Sequence, residues 1–127
     1  MNYNLIYPSN HKINKKIVNL VIPKFQCKNY KIVHISDIHI GYYLGKQFLE
    51  KLIEQIIDIN PNICVITGDL IAYSKIFSID ILTPLQKLTS KIDTYFVLGN
   101  HEVGLYKFKI EEFLNELQTL GVYTLHN

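Results

Sequence analysis

Along the chain the apolar positions change period several times, and each change predicts an element. "KIVNLVIP" (Lys16 to Pro23) alternates and is rich in Val and Ile, which predicts a strand ended by Pro23. "YKIVHISD" (Tyr30 to Asp37) is a second strand, apolar enough to lie inside a sheet. In "KQFLEKLIEQIIDIN" the period becomes helical. Phe48, Leu49, Leu52, Ile53, Ile56 and Ile57 share one face, and Asn60-Pro61 ends the helix. "NICVITGD" (Asn62 to Asp69) is a third strand. Thr83-Pro84-Leu85-Gln86 has the form of a capping box with proline at the first helical position, so a helix is expected over at least Pro84 to Lys91. "DTYFVLGNHE" (Asp93 to Glu102) is a fourth strand running into a polar turn. "KIEEFLNELQTLG" sets Ile110, Phe113, Leu114, Leu117 and Leu120 on one helix face, with Gly121 as terminator. "VYTLHN" begins a fifth strand. The Leu and Ile stripes predict core, and His34 a packed core histidine.

Strands alternating with helices predict βαβ units, an α/β class and a largely parallel sheet. In such a sheet ligands bind beyond the carboxyl ends of the strands. Three strands end in polar residues here: Asp37 with His39, Gly68-Asp69, and Gly99-Asn100-His101. Asp37 lies 32 positions before Asp69, and Asp69 lies 31 before Asn100. Each interval is one helical crossover, so the three ends should meet at one edge. Taken singly, each residue has a plainer role. Asp37 could cap a helix, Asp69 and Asn100 could form turns, His39 could be half-buried, and His101 could be solvated. Taken jointly, carboxylates, an amide oxygen and imidazole favour a site for Mn, Fe, Zn or Mg over a thiolate site. Glycine before Asp69 and before Asn100 allows a sharp turn and the close approach of a metal or phosphate. Glu102 is expected at the surface or behind the site.

"D-I-H" at Asp37 to His39, "G-D" at Gly68-Asp69 and "G-N-H-E" at Gly99 to Glu102 resemble the first three motifs of the calcineurin-like metallophosphoesterases. "ISDIHIG" and "VLGNHE" are most similar to a membrane-associated branch that includes UDP-2,3-diacylglucosamine pyrophosphatases. The resemblance implies the N-terminal half of a two-sheet sandwich flanked by helices. It implies two divalent metal ions: Asp37 and His39 on the first, Asp69 bridging, Asn100 on the second, and His101 catalytic, facing the substrate phosphate. The substrate would be a phosphomonoester, phosphodiester or pyrophosphate, in that branch a nucleotide-linked lipid precursor. The family's later histidine and Gly-His-x-His motifs do not occur after His101, and His126 matches neither. The expectation is therefore a polar leader over 1–15 and a C-terminally incomplete domain over 16–127. It would hold one ion, show weak or no turnover, and have a sheet face open to self-association or to a C-terminal partner chain. The alternative is a catalytically inactive fragment serving as a metal- or partner-binding module.

Composition narrows this little further. The chain has 127 residues, enough for one domain, and at 48% hydrophobic it can fill a core. A net charge of +2 and the absence of an RNA-binding or helix-turn-helix signature argue against nucleic acid. No Gly-rich phosphate loop follows the first strands, which argues against a nucleotide-binding α/β module. Cys27 and Cys64 form no paired metal motif, and Cys64, inside "ICVIT", is expected as a buried thiol. The N-terminal stretch, with His11 in it, lacks an apolar run long enough for a signal peptide or membrane span. The localisation expected from these features is cytoplasmic, with at most a peripheral membrane association.

Overall fold

The computed structural model describes residues 13, 15–24, 26, 29–41, 44–72, 78–104 and 107–125. Cys27, His11 and His126 lie outside the described residues, as does most of the expected leader. Four strands form one parallel sheet, side by side in chain order: β1 (Ile32–Ile35), β2 (Ile63–Thr67), β3 (Asp93–Val97) and β4 (Tyr123–Leu125). The register sets Ile32 beside Ile63, Val65 beside Tyr95, and Tyr95 beside Tyr123. Between the strands run α1 (Lys46–Ile59), a 3₁₀ turn (Ile79–Leu82), α2 (Leu85–Thr89), α3 (Asn100–Val103) and α4 (Lys107–Thr119).

Every crossover steps in the same direction along the sheet. Right-handed connections then place the crossing helices on a single face. The burial pattern agrees. Leu49, Leu52, Ile53 and Ile56 of α1, Leu85 and Leu88 of α2, and Phe113 and Leu117 of α4 share one core with Cys64, Ile66 and Phe96. The rings of Phe96 and Phe113 meet edge to face, with centroids 5.6 Å apart. At about 1.5–3 kcal/mol per fully buried large apolar side chain, the four α1 residues alone contribute about 6–12 kcal/mol before conformational entropy is subtracted.

The opposite face of the sheet is uncovered by any described element. Its rows, set by the register, are Ile32 with Ile63, His34 with Val65, Tyr95 and Tyr123, and Thr67 with Val97 and Leu125. Ile32, Tyr123 and Leu125 are each more than half exposed. Tyr95 and Tyr123 stack with centroids 5.1 Å apart.

The helix ends follow the sequence. Asn60 takes the left-handed conformation (φ 50°) that closes α1 just before Pro61, and its N–H reaches the Ile57 carbonyl at 2.9 Å. Gly121 (φ 86°) closes α4. The Gly121 N–H bonds the Gln118 carbonyl and the Val122 N–H bonds the Leu117 carbonyl, each at 2.9 Å, which is a Schellman motif with buried Leu117 and Val122 beside it.

Three expectations need correction. Lys16 to Pro23 forms no strand and pairs with none of the described ones, and Ile17 and Val21 are 86% and 91% exposed. Alternating Val and Ile supply propensity only, and a strand exists only in a ladder. His34 is exposed, not core, because it lies on the open face, where its Nε2 and Thr67 Oγ1 hydrogen-bond at 2.6 Å. The capping box at Thr83 does not form. Thr83 is itself helical (φ −53°, ψ −29°), continuing the 3₁₀ turn, and its hydroxyl donates to the Asp80 carbonyl. Of the two places left open for Glu102, the surface is excluded: it is fully buried.

Candidate metal centre

The carboxyl ends of β1, β2 and β3 lie side by side because the strands do, and backbone bonds tie the loops that follow. The Asp37 N–H donates to the Gly68 carbonyl (3.3 Å), His39 to Asp69 (2.9 Å) and Ile40 to Leu70 (2.9 Å), while Ala72 donates back to Ile40 (2.7 Å). These bonds extend the β1–β2 pairing beyond the sheet through a distorted segment. Asp37, His39 and Asp69 all have left-handed backbones, with φ of 54°, 52° and 51°. Such conformations are uncommon outside glycine, and they persist only where surrounding bonds impose them.

The third loop is jammed against the second. A Cβ at Gly68, which also has positive φ (79°), would stand 2.5 Å from the Gly99 Cα. A Cβ at Gly99 would overlap Asp69 Oδ1 and the Asp69 nitrogen. Both glycines are therefore required by contact between the two loops. Asp69 is held from this side too, since the His101 N–H donates to Asp69 Oδ1 at 3.0 Å.

The result is a cluster. One ligand atom each from His39, Asp69 and His101 lies within 4.8 Å of the others. Asp69 is buried and both histidines are half-buried, with ring centroids 4.4 Å apart in a T arrangement. Three donors bound to one ion at about 2.0–2.2 Å lie about 3.3–3.8 Å apart, so closing a cluster that already lies within 4.8 Å takes at most about 1.5 Å per pair, within reach of side-chain rotation. The donor set fits: two imidazole nitrogens and one carboxylate oxygen suit Zn, Fe or Mn.

Among the expected residues, His39, Asp69 and His101 are thus brought together. Asp37 is exposed and stands outside that cluster, joined to it through its backbone bond to Gly68. Asn100 opens α3 beside His101 and is exposed.

Glu102 lies behind the site, one of the two places left open for it, but its bonds were not read from the sequence. Its Oε2 accepts from the N–H groups of Asp69 and Gly99, each at 2.9 Å, and its Oε1 accepts from Ile71 at 3.1 Å. The signal was present. Glu102 sits three positions after Gly99, the place from which a glutamate reaches back to the N-cap N–H, but α3 has only four residues and shows no apolar period.

Comparison with known proteins agrees with this geometry. The family model for calcineurin-like phosphoesterases matches residues 30–127. The chain is 36% identical to an uncharacterized metallophosphoesterase of Campylobacter jejuni over 118 residues, covering 90% of this chain and 30% of that protein. It is 35% identical over 97 residues to a Bos taurus transmembrane protein with metallophosphoesterase domain, covering 76% and 21%. It is 32% identical over 77 residues to the UDP-2,3-diacylglucosamine pyrophosphatase LpxG of Chlamydia trachomatis, covering 60% and 23%. The chain thus spans less than a third of the length of these relatives. The cytoplasmic localisation expected from the N-terminus is overturned: relatives from Bos taurus and Danio rerio are named transmembrane proteins. Among the described residues no helix is long and apolar enough to cross a membrane. With its four-stranded parallel sheet matching the N-terminal half of that fold, this chain belongs to the calcineurin-like phosphoesterase family.

Proposed function

We propose that this chain carries part of the metal site of a phosphoesterase that hydrolyses a phosphate ester or pyrophosphate. The observation that carries the reading is the convergence of His39, Asp69 and His101 at the carboxyl edge of the sheet. A divalent cation bound there would neutralise charge on the phosphate and acidify an attacking water. The residues themselves do the positioning. Asp69, fixed through its backbone and through Oδ1, presents a carboxylate oxygen from the middle loop. His39, locked by its left-handed backbone and its bond to the Asp69 carbonyl, presents an imidazole from one side. His101 presents a second imidazole from the other, placed to bind the cation or to donate a proton to a departing oxygen. Asp37 and Asn100, exposed at the rim, would contribute further ligands to the spheres of two ions.

The open sheet face supports a second element of the proposal. Ile32, Tyr123 and Leu125 would pack against the remainder of the sandwich, supplied by a longer protein, a C-terminal partner chain or a second copy. For substrate, similarity to LpxG supports a lipid-linked nucleotide pyrophosphate. Calorimetric titration of the chain with Mn(II) tests the site. One ion per molecule should bind, and binding should be lost in Asp69→Ala. Binding unchanged by that substitution would remove Asp69 from the site and the proposal with it.

A further inference from the structure

Three loops carry the cluster, and two different devices join them. Backbone bonds tie the loop after β1 to the loop after β2. The loop after β3 is tied to the loop after β2 by side chains, and the carboxylate of Glu102 stands at the centre of that junction. It is fully buried, and it accepts three backbone N–H bonds: Asp69 and Gly99 on Oε2, Ile71 on Oε1. Two of these donors belong to the middle loop and one to the third, so a single group spans both. Among the described residues no buried side-chain nitrogen or oxygen lacks a partner, so the group sits in a fully satisfied pocket. All three of these bonds are made to backbone N–H groups rather than to the proposed ligand atoms. Glu102 thus holds the backbone of Asp69, whose carboxylate is in the cluster, and Gly99, two residues before His101.

We propose that Glu102 is the positioning residue of this site: by clamping the Asp69 and Gly99 backbones together, its carboxylate sets the separation of Asp69 from His101 and hence the affinity of the cluster for a divalent cation. This rests on the metal reading above. The chemistry requires a carboxylate. A glutamine keeps the shape but has one acceptor oxygen. With that oxygen at the Oε2 position, its NH₂ faces the Ile71 N–H, donor against donor; flipped, it faces two N–H groups and loses two bonds. Aspartate keeps the charge but falls short by one methylene, so at most part of the three-donor set is reached.

The test compares the parent chain, Glu102→Gln and Glu102→Asp, with Ile56→Val as a control destabilised far from the site. Two quantities are read: Mn(II) affinity of the folded protein, and hydrogen exchange of individual amides without metal. Groups that orient metal ligands typically change affinity by about 10–100-fold when altered. Both Glu102 variants should weaken Mn(II) by about that factor while Ile56→Val leaves it within about twofold. Without metal, both should speed exchange at Asp69, Ile71 and Gly99 and leave Cys64 and Phe96 in the strands unchanged. Affinity in Glu102→Asp equal to the parent's would assign the effect to charge alone and overturn the clamp. Exchange raised evenly over the whole chain would make Glu102 a general stabiliser and overturn it too. If the parent binds no Mn(II), the metal reading fails, and unchanged exchange at the three amides then separately refutes the clamp. Should Glu102→Gln not fold, Glu102→Asp decides by the same two quantities.

Discussion

Gly99 and Gly45 make a matched pair that isolates one contact at the site. Both are helix N-caps, with dihedrals of −99°, −179° and −99°, −173°. Alanine adopts these extended angles freely, so neither substitution strains the backbone. They differ in surroundings. A Cβ at Gly45 meets nothing within 4 Å, whereas one at Gly99 overlaps Asp69 Oδ1 and the Asp69 nitrogen and comes within 2.9 Å of the Gly68 Cα. Two of those three atoms are backbone, and the Asp69 nitrogen is held by Glu102, so the contact cannot relax by rotating a side chain alone. Overpacking of this kind costs about 1–3 kcal/mol. The lost preference for glycine over alanine at an N-cap, and the gain from a stiffer unfolded chain, are common to both variants and cancel. At about 2.1 cal/mol/K per residue the unfolding entropy of 127 residues is about 0.27 kcal/mol/K, so Gly99→Ala should melt about 4–11 °C below Gly45→Ala. The assay is thermal unfolding followed by circular dichroism, with Mn(II) titration of each variant below its transition. Because the overlapped atom is Asp69 Oδ1, the affinity should fall in Gly99→Ala and hold in Gly45→Ala. Two melting curves within about 1 °C of each other would refute the claim that the second and third loops are in backbone contact.

Burial pushes the Cys64 thiol up to about 12 from 9.0, so the unfolded chain loses this proton first on raising pH. Its contribution to stability is complete below pH 9.0 and lost as pH climbs toward about 12, and urea midpoints should fall less steeply over that window in Cys64→Ala. The same burial predicts that Cys64 is not labelled by a thiol reagent in the native protein at neutral pH, read in a Cys27→Ser background, and prompt labelling of Cys64 there would contradict it. Phe113→Ala removes a fully buried ring packed on Phe96 and should cost about 3–5 kcal/mol by urea denaturation, a cost under about 1 kcal/mol arguing against the Phe96–Phe113 core. If the uncovered sheet face drives association, Tyr123→Lys with Leu125→Lys should shift the isolated chain toward monomer by light scattering, and an already monomeric parent that binds no hydrophobic dye would contradict it.

The sequence showed most of what local physics controls. The α1 stripe, the Asn60-Pro61 stop, the Gly121 terminator and the polar strand ends all declare themselves through period or through residues with special backbone freedom. What it hid depends on partners distant in sequence. Lys16 to Pro23 has a strand's alternation, but pairing is decided by the rest of the sheet. His34 sits in an apolar run, yet which side of β1 is covered follows from the direction of the crossovers. Glu102 has an acidic side chain in a polar turn, and nothing local reveals that its three donors lie in two loops, two of them more than 30 positions away. The site divides similarly. Order and spacing predicted that three strand ends converge, but which donors meet is a matter of side-chain geometry, and His101 joins His39 and Asp69 while Asp37 remains at the rim.

The most direct test is a crystal of this chain grown with Mn(II), with anomalous scattering measured to locate the ion. The account predicts a peak about 2.0–2.2 Å from one nitrogen of His39, one carboxylate oxygen of Asp69 and one nitrogen of His101. A peak held by other residues, or no peak at saturating Mn(II) with those three side chains ordered, would contradict it.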